Sequence, residues 1–121
     1  MIYIIDDDEI MSECIARACG PEAEVRRFSN AIEAMSAMSG ENGTKIPKLI
    51  FLDILLDGPD GFTLLNELVS YTDTAMIPIV IVSSINFHGR DLTEYGVVGV
   101  LDKTKMIPEE ILRYVQKYYT N

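Results

Sequence analysis

The amino-acid sequence predicts an α/β domain with a doubly wound parallel sheet, and two observations support this prediction. Short apolar runs that stop at Gly, Pro or acidic residues indicate buried strands, and the most pronounced is Leu49-Ile50-Phe51-Leu52, which leads into Asp53. Segments with apolar residues at helical spacing separate these runs. Regular alternation of this kind favours a parallel sheet with helices on both faces, joined by right-handed crossovers.

Five runs are predicted as strands, and each combines β-branched or other apolar residues with a clear stop signal. The second run is more polar than the others, as expected for a strand near a sheet edge. In chain order, the predicted strands are Ile2–Ile5, Glu24–Phe28, Leu49–Asp53, Pro78–Val82 and Gly96–Leu101.

The first two of five predicted helices have recognisable ends. Gly20-Pro21 closes the first helix, while Asn30 is a candidate cap for the second, with Glu33 three residues later in a pattern like a capping box. Their predicted core-facing residues are Ile10, Met11, Cys14, Ile15 and Ala18 in the first helix and Ala31, Ile32, Ala34, Met35 and Met38 in the second.

The remaining three helices follow the third, fourth and fifth strands. The third begins after Gly61 and is predicted to end near Tyr71 or Thr72, and the last begins near Pro108, a residue favoured at a first helical position. The fourth, Asn86–Tyr95, is the weakest because it contains several poor helix formers. The predicted core residues of this half are Phe62, Leu64, Leu65, Leu68, Val69, Met76, Ile111, Leu112, Val115 and Tyr118 or Tyr119.

Length, charge and cysteine content limit the function classes. The 121 residues fit one domain, residues 1–121, and a net charge of −9 argues against nucleic-acid binding by this domain. No apolar run approaches the roughly 20 residues of a membrane span, and the N-terminus lacks the basic region of a signal peptide. Cys14 and Cys19 match neither a metal spacing nor a disulfide framework, which indicates buried or half-buried thiols in the cytoplasm.

Four of the five predicted strands end on polar groups. Asp6 and Asp7 follow the first strand, Asp53 the third, Ser83 the fourth and Lys103 the fifth. Parallel strands bring their C-terminal ends to one edge of the sheet, which is where open α/β sheets bind ligands. We therefore expect these side chains to form one site.

The composition of this set points to phosphoryl chemistry. Closely spaced carboxylates repel one another and favour a divalent cation, and oxygen ligands with few protein groups are typical of Mg²⁺. The strand ends carry no His or Cys, which argues against zinc. An Asp beside Mg²⁺ and Lys can attack a phosphoryl group because the cations offset the charge on its oxygens.

Taken together, the ordered motifs resemble those of response-regulator receiver domains along the whole chain. That family has an acidic pair after strand one, a phosphorylated Asp after strand three, Asp-Gly at the start of helix three, Ser or Thr after strand four and Lys after strand five. The corresponding residues are Asp6-Asp7, Asp53, Asp60-Gly61, Ser83 and Lys103, with Gly96-Val97-Val98-Gly99 preceding the Lys.

This resemblance implies a flavodoxin-like (βα)5 fold with strand order 2-1-3-4-5. It implies a phosphorylation-dependent signalling switch, not a turnover enzyme, in which Asp53 accepts a phosphoryl group from a histidine kinase or a phosphotransfer protein. Asp7, Asp53 and the backbone carbonyl of Leu55 would bind Mg²⁺ directly, with Asp6 bound through water. Ser83 and Lys103 would bind phosphoryl oxygens.

The resemblance also implies an output surface. In receivers of this kind, strand five and helices four and five form the face that changes on phosphorylation, and the same face would support a homodimer. The tyrosines of the last helix, Tyr118 and Tyr119, would either contribute to that dimer face or pack on the sheet.

Three positions depart from the family pattern. Thr104 stands where receivers commonly have a cis Pro, and a cis bond to a non-Pro residue costs about 2.5–4 kcal/mol. Either the site sustains that strain, or the loop runs trans and Lys103 sits differently. Val100 replaces an aromatic residue that often moves on activation, so Ser83 and the 86–95 segment would carry more of the readout.

The third departure follows the acceptor. Leu55-Leu56-Asp57 stands where the family often has a polar residue and then Met-Pro. We hypothesise that the apolar side chains of Leu55 and Ile85 hinder the attacking water and lengthen the phosphorylated state. A phosphorylated half-life of seconds would contradict this idea.

Three polar residues have simpler interpretations. Asp8 is interpreted as an acid at a helix N-terminus, Asp57 as a turn residue and His88 as a surface residue of the fourth helix.

Three alternatives to the phosphorylated switch follow from the same residues. A haloacid-dehalogenase-like phosphatase also uses a strand-end Asp with Mg²⁺, but it needs a second Asp where this chain has Leu55. A flavodoxin-like FMN module would need a Ser/Thr/Gly-rich loop in place of Asp6-Asp7-Asp8. A degenerate receiver, which binds a partner without phosphorylation, stays open because of Thr104 and Val100.

Overall fold

Five parallel strands form one sheet in the order β2-β1-β3-β4-β5 in the computed structural model, which describes residues 1–39, 46–54, 61–84 and 92–120. The predicted α/β class, parallel sheet and strand order are confirmed. The strands are β1 (Ile2–Ile5), β2 (Val25–Phe28), β3 (Leu49–Leu52), β4 (Ile79–Ser83) and β5 (Val97–Asp102).

Helices cover both faces of this sheet. They are α1 (Glu9–Ala18), α2 (Ala31–Met38), α3 (Gly61–Val69) and α4 (Pro108–Tyr114), and α4 continues as a π-helical segment over Val115–Thr120. Most of the predicted helix Asn86–Tyr95 lies outside the described residues, and its last part, Thr93–Tyr95, forms a single 3₁₀ turn. Within the described residues, no helix has the length and apolar character needed to cross a membrane.

Two apolar layers hold the helices against the sheet. All residues of β1, β3 and β4 are buried, as their continuous apolar sequences predict for strands covered on both faces. Because side chains alternate along a strand, Ile5 and Leu52 pack in the layer of α2 and α3, while Ile4 and Phe51 pack in the layer of α1 and α4.

The two outer strands are more exposed. Strand β2 presents Arg26 and Arg27 to solvent, in agreement with its predicted edge position. On the opposite edge, Val98 and Val100 of β5 are 39% and 45% exposed.

Strand β5 also contains one residue more than its neighbour requires. Ile79 of β4 pairs with Val97, but Val80 pairs with Gly99, so Val98 forms a bulge. The hydroxyl end of Tyr114 lies where a side chain at position 99 would begin, and this close approach explains the Gly.

Side-chain caps begin α1 and α2. The Asp8 carboxylate accepts hydrogen bonds from the backbone N–H groups of Ile10 and Met11, at 3.0 and 3.1 Å, which agrees with its interpretation as an N-terminal acid. The Asn30 side chain accepts one from the N–H of Glu33 at 2.9 Å, and the predicted cap of α2 is therefore present.

Several core predictions were wrong because each helix buries only one narrow stripe. Helix α1 buries Ser12 and Ile15, with Cys19 following, so Ile10 and Cys14 are exposed. The residues predicted in the core but found exposed are Ile10 (78%), Cys14, Ile32 (61%), Val69 (39%), Met76 (87%) and Leu112 (38%). Helix α3 ends at Val69, earlier than predicted, and a turn follows.

Cys19 was predicted correctly as a buried thiol. It is 4% exposed, and burial raises its pKa to about 12. Such a thiol stays protonated and packs as a small apolar group.

Candidate functional site

The sheet brings its polar strand ends together by continuing its own hydrogen-bond pattern. The N–H of Asp53 donates to the carbonyl of Ile5 at 2.9 Å, which extends the β1–β3 pairing by one residue. In the same way, the N–H of Asp6 donates to Phe28 at 3.0 Å and that of Lys103 donates to Ser83 at 3.1 Å. The backbone of each of these three residues is therefore fixed by a hydrogen bond to the neighbouring strand.

Lys103 joins the two buried carboxylates. Its Nζ lies 3.0 Å from Asp6 Oδ2 and 3.0 Å from Asp53 Oδ2. Asp6 and Asp53 are 3% and 5% exposed, and the Lys103 side chain is 15% exposed. The Lys103–Thr104 peptide bond is trans, and Lys103 nevertheless reaches both carboxylates.

Burial and charge act in opposite directions on this group. Burial raises the pKa of Asp6 above its ordinary value, although the Asp8 N–H and the Lys103 ammonium each favour its charged form. Burial alone would lower the pKa of Lys103, but its close contacts and charge interactions with the Asp6 and Asp53 carboxylates outweigh that effect and raise it. The Lys103 ammonium therefore favours the charged form of Asp6, and the two carboxylates favour the charged form of Lys103.

Three carboxylates are arranged to accept a cation. One oxygen each from Asp6, Asp7 and Asp53 lies within 4.8 Å of the others. Oxygens bound to one Mg²⁺ lie at most about 4.2 Å apart, since each bond is about 2.1 Å, so the observed spacing is close to the one that a single ion requires.

One buried carboxylate oxygen of Asp6 also indicates a place for a cation. Asp6 Oδ2 is buried and accepts no hydrogen bond from the described residues, because its Lys103 contact is an ion pair without hydrogen-bond geometry. A carboxylate oxygen in this state gains from a cation. Three carboxylates and one ammonium have a formal charge of −2, which a divalent cation balances, and the residues present fit Mg²⁺.

Ser83 ends β4, the neighbour of β3 in the sheet. It is 1% exposed and pairs with Asp102 of β5, and β4 is next to the strand that delivers Asp53. The predicted ligand Leu55 lies outside the described residues, as do Asp57, Asp60, Ile85 and His88.

Gly61 lies against the backbone that follows β3, and the space there suits only a residue without a side chain. A Cβ on this residue would lie 2.6 Å from Ile54 Cα and 2.9 Å from the Asp53 carbonyl oxygen. The N–H of Gly61 donates to the Ile54 carbonyl at 2.9 Å, so the first turn of α3 rests directly on the backbone that follows Asp53.

Sequence reasoning missed the turn that carries Lys103. Asp102 Oδ1 accepts hydrogen bonds from both the N–H and the hydroxyl of Thr104, at 2.8 and 2.7 Å. An Asp two residues before a Thr at a strand end is a signal for a side-chain-closed turn, and it was available in the sequence.

Comparisons with known proteins agree with this geometry. The family model described as "response regulator receiver domain" matches residues 2–116. The chain is 25% identical over 115 residues to a protein-glutamate methylesterase/protein-glutamine glutaminase of Oleidesulfovibrio alaskensis, with 92% of this chain and 31% of that protein covered. The chain thus spans about a third of the length of that relative.

Solved structures with the same fold include two response regulators. One is the Mn²⁺-bound form of Rcp1, with a TM-score of 0.73, 22% identity and coverage of 96% of this chain and 88% of the other. The second is the phosphorylated cyanobacterial phytochrome response regulator RcpA, with a TM-score of 0.74, 24% identity and the same coverage.

Proposed function

The chain belongs to the response regulator receiver domain family, and on this premise we propose that it is a phosphorylation-dependent signalling switch with Asp53 as the phosphoryl acceptor. The observation that carries the proposal is the contact of the Asp53 carboxylate with the Lys103 ammonium at 3.0 Å, within reach of the Asp6 and Asp7 carboxylates. The acceptor, a cation and the ligands for a second cation thus share one edge of the sheet.

The donor we propose is a phosphohistidine on a histidine kinase or a phosphotransfer protein. An Asp53 carboxylate oxygen forms the new O–P bond while the P–N bond of the donor breaks, and the imidazole nitrogen keeps the electron pair and takes up a proton. Lys103 then holds a phosphoryl oxygen in place of Asp53 Oδ2, and the Ser83 hydroxyl donates to another.

Mg²⁺ is the cofactor we propose, held by Asp6, Asp7 and Asp53, with the backbone carbonyl of Leu55 as a further ligand. When bound, it supplies positive charge that offsets the charge on the phosphoryl oxygens. Two structural relatives support both parts of the proposal, since Rcp1 is known in a Mn²⁺-bound form and RcpA in a phosphorylated form.

Phosphorylation would be sensed on the face formed by β5, α4 and the 86–95 segment. Val98, Val100 and Leu112 are exposed apolar residues on β5 and α4, and they suit a surface that meets a partner or a second copy of the chain. Val100 lacks an aromatic ring, so movement of Ser83 and the neighbouring segment is the proposed link to this face.

The direct test is phosphorylation by a small donor. Incubation with Mg²⁺ and acetyl phosphate should add about 80 Da, the mass of one phosphoryl group, to the intact protein. The adduct should be absent from Asp53→Ala and present in the matched control Asp73→Ala, which changes an exposed Asp away from the site.

The degenerate-receiver alternative gives a different result. If no adduct forms with acetyl phosphate and a phosphohistidine donor also transfers nothing, the chain acts by binding alone, and the proposed function is wrong. Omission of Mg²⁺ provides the second control, because three carboxylates beside an incoming phosphoryl group repel it in the absence of a cation.

A further inference from the structure

The turn after β5 presents Lys103 to the site, and it is closed by side chains. Asp102 Oδ1 accepts two hydrogen bonds from Thr104, one from its N–H at 2.8 Å and one from its hydroxyl at 2.7 Å. The acceptor and both donors flank Lys103 in sequence. The direction in which the Lys103 side chain leaves the backbone therefore depends on this pair.

Backbone hydrogen bonds close the same turn a second time. The carbonyl of Asp102 accepts from the N–H groups of Lys105 and Met106, at 3.0 and 2.8 Å. The N–H of Lys103 donates to the Ser83 carbonyl at 3.1 Å. The backbone of Lys103 is thus held on one side by β4 and on the other by Asp102 and Thr104.

A lysine needs such restraint more than an aspartate does. Its ammonium stands at the end of four methylene groups, so a small change in the backbone direction moves Nζ far from a target. Here Nζ meets two carboxylate oxygens at 3.0 Å each, and the peptide bond to Thr104 is trans. The Asp102–Thr104 pair supplies the turn geometry at a position where the chain has no Pro.

We propose that the Asp102 carboxylate and the Thr104 hydroxyl are positioning residues that hold the Lys103 ammonium on Asp53 and on the phosphoryl group it accepts. The part that concerns the phosphoryl group rests on the proposed function. The part that concerns the ammonium does not, because the contact with Asp53 exists without phosphorylation.

The first measurement follows the Lys103 side chain in the unphosphorylated protein. Carbon-13 relaxation of its terminal methylene reports motion on the ps–ns timescale. We expect a restrained methylene in the wild type and a mobile one in Thr104→Val and Asp102→Ala. Thr104→Ser, which keeps the hydroxyl, should restore the restraint, and Thr72→Val, which changes an exposed Thr in a distant turn, serves as the matched control.

The second measurement is the initial rate of Asp53 phosphorylation by acetyl phosphate at saturating Mg²⁺. Thr104→Val should lower this rate about fivefold, as expected for one lost hydrogen bond, and Asp102→Ala should lower it further. Saturating Mg²⁺ keeps the cation site filled in every variant, so a change in Mg²⁺ affinity through the Lys103 contacts with Asp6 and Asp53 does not enter this rate. In a Lys103→Met background neither change should lower the residual rate again, since both act through the ammonium.

The outcomes separate the two proposals. An unchanged methylene, or a loss of rate that persists in the Lys103→Met background, overturns the positioning role. If the wild type accepts no phosphoryl group, the proposed function fails, and the relaxation measurement alone then decides whether Asp102 and Thr104 position Lys103. Circular dichroism and thermal unfolding of each variant show that the fold is kept.

Discussion

Asp6 and Lys103 meet across the site, yet they come from two different kinds of strand. Asp6 follows β1, which lies between β2 and β3 and has every residue buried. Lys103 follows β5, one of the two edge strands, which exposes Val98 and Val100 and contains a bulge. We refer to β1, β3 and β4 as the sheet centre and to β5 as the sheet margin.

The difference shows that the two charges are held by different means. The carboxylates at the sheet centre are placed by strands packed on both faces, and their backbone hydrogen bonds simply extend the sheet. The Lys103 N–H extends the sheet as well, but the turn that follows it at the margin is closed by two side chains. Packing therefore positions the proposed acceptor Asp53, while a few exposed hydrogen bonds position the Lys103 ammonium beside it.

The largest effect should come from a cavity at the sheet centre. Phe51 is 1% exposed, and Phe51→Ala should lower the free energy of unfolding by about 3–5 kcal/mol. Val100→Ala at the margin should cost less than about 0.5 kcal/mol, because the side chain is already 45% exposed. Equilibrium unfolding in urea measures both, and similar costs would contradict the distinction between centre and margin.

An intermediate effect should come from added volume at two glycines. Gly61→Ala places a methyl group 2.6 Å from the backbone at Ile54, which cannot turn away, and should cost about 1–3 kcal/mol. Gly99→Ala meets the phenol end of the Tyr114 side chain, which can shift where backbone cannot, and should cost less than Gly61→Ala.

The control for this pair uses the neighbour that would be displaced. Gly99→Ala should cost nothing further in a Tyr114→Leu background, whereas no side-chain truncation should rescue Gly61→Ala. Thermal unfolding provides the comparison, and a Gly99→Ala variant as unstable as Gly61→Ala would show that the margin is as rigid as the centre.

The smallest effect should come from the charges themselves, and its sign should differ between centre and margin. The pKa of Asp6 is raised in the folded state, so the stability that this group contributes is present below its unfolded pKa and is lost as the pH rises through its folded pKa. Asp6→Asn stays neutral, and without Mg²⁺ it should be more stable than the wild type at neutral pH, by about 1 kcal/mol or less, because Lys103 already offsets part of the cost.

Lys103→Met should act in the opposite direction. The pKa of Lys103 is also raised, and for a cation this means stability that is fully present below its unfolded pKa and is lost only at strongly alkaline pH. Its removal should destabilise the protein at neutral pH and leave Asp6 facing Asp53. Unfolding curves recorded between about pH 3 and pH 7 test both signs, and an Asp6→Asn advantage that shrinks with rising pH would contradict the direction of the Asp6 shift.

The sheet centre and the carboxylate edge could be predicted from the sequence, for a physical reason. Strands buried on both faces must be apolar throughout, so their ends are marked by the first charge, as Asp6 and Asp53 show. Parallel pairing then brings such ends to one edge whatever the details of the helices.

Helix faces and the position of the ammonium could not be predicted in the same way. Ile10 and Ile32 have the spacing of core residues, but the buried stripes of α1 and α2 run through neighbouring positions, and spacing alone does not choose between them. For Lys103, the sequence shows that Thr104 stands in place of Pro. It does not show that hydrogen bonds between Asp102 and Thr104 shape the turn instead, because these bonds depend on the local backbone.

The bulge at Val98 is a position where β5 could lose one residue without a change in its pairing nearer the site. Val97 before it packs in the layer of α2 and α3, and Leu101 after it packs in the layer of α1 and α4, although a regular strand would put both on one face. A related chain without Val98 would keep the same pairing of Gly99 with Val80 and the same orientation of Lys103. Loss of one residue between Gly99 and Lys103 would instead turn the Lys103 side chain to the opposite face of the sheet. We therefore expect β5 to accept a deletion at its bulge and nowhere nearer the site.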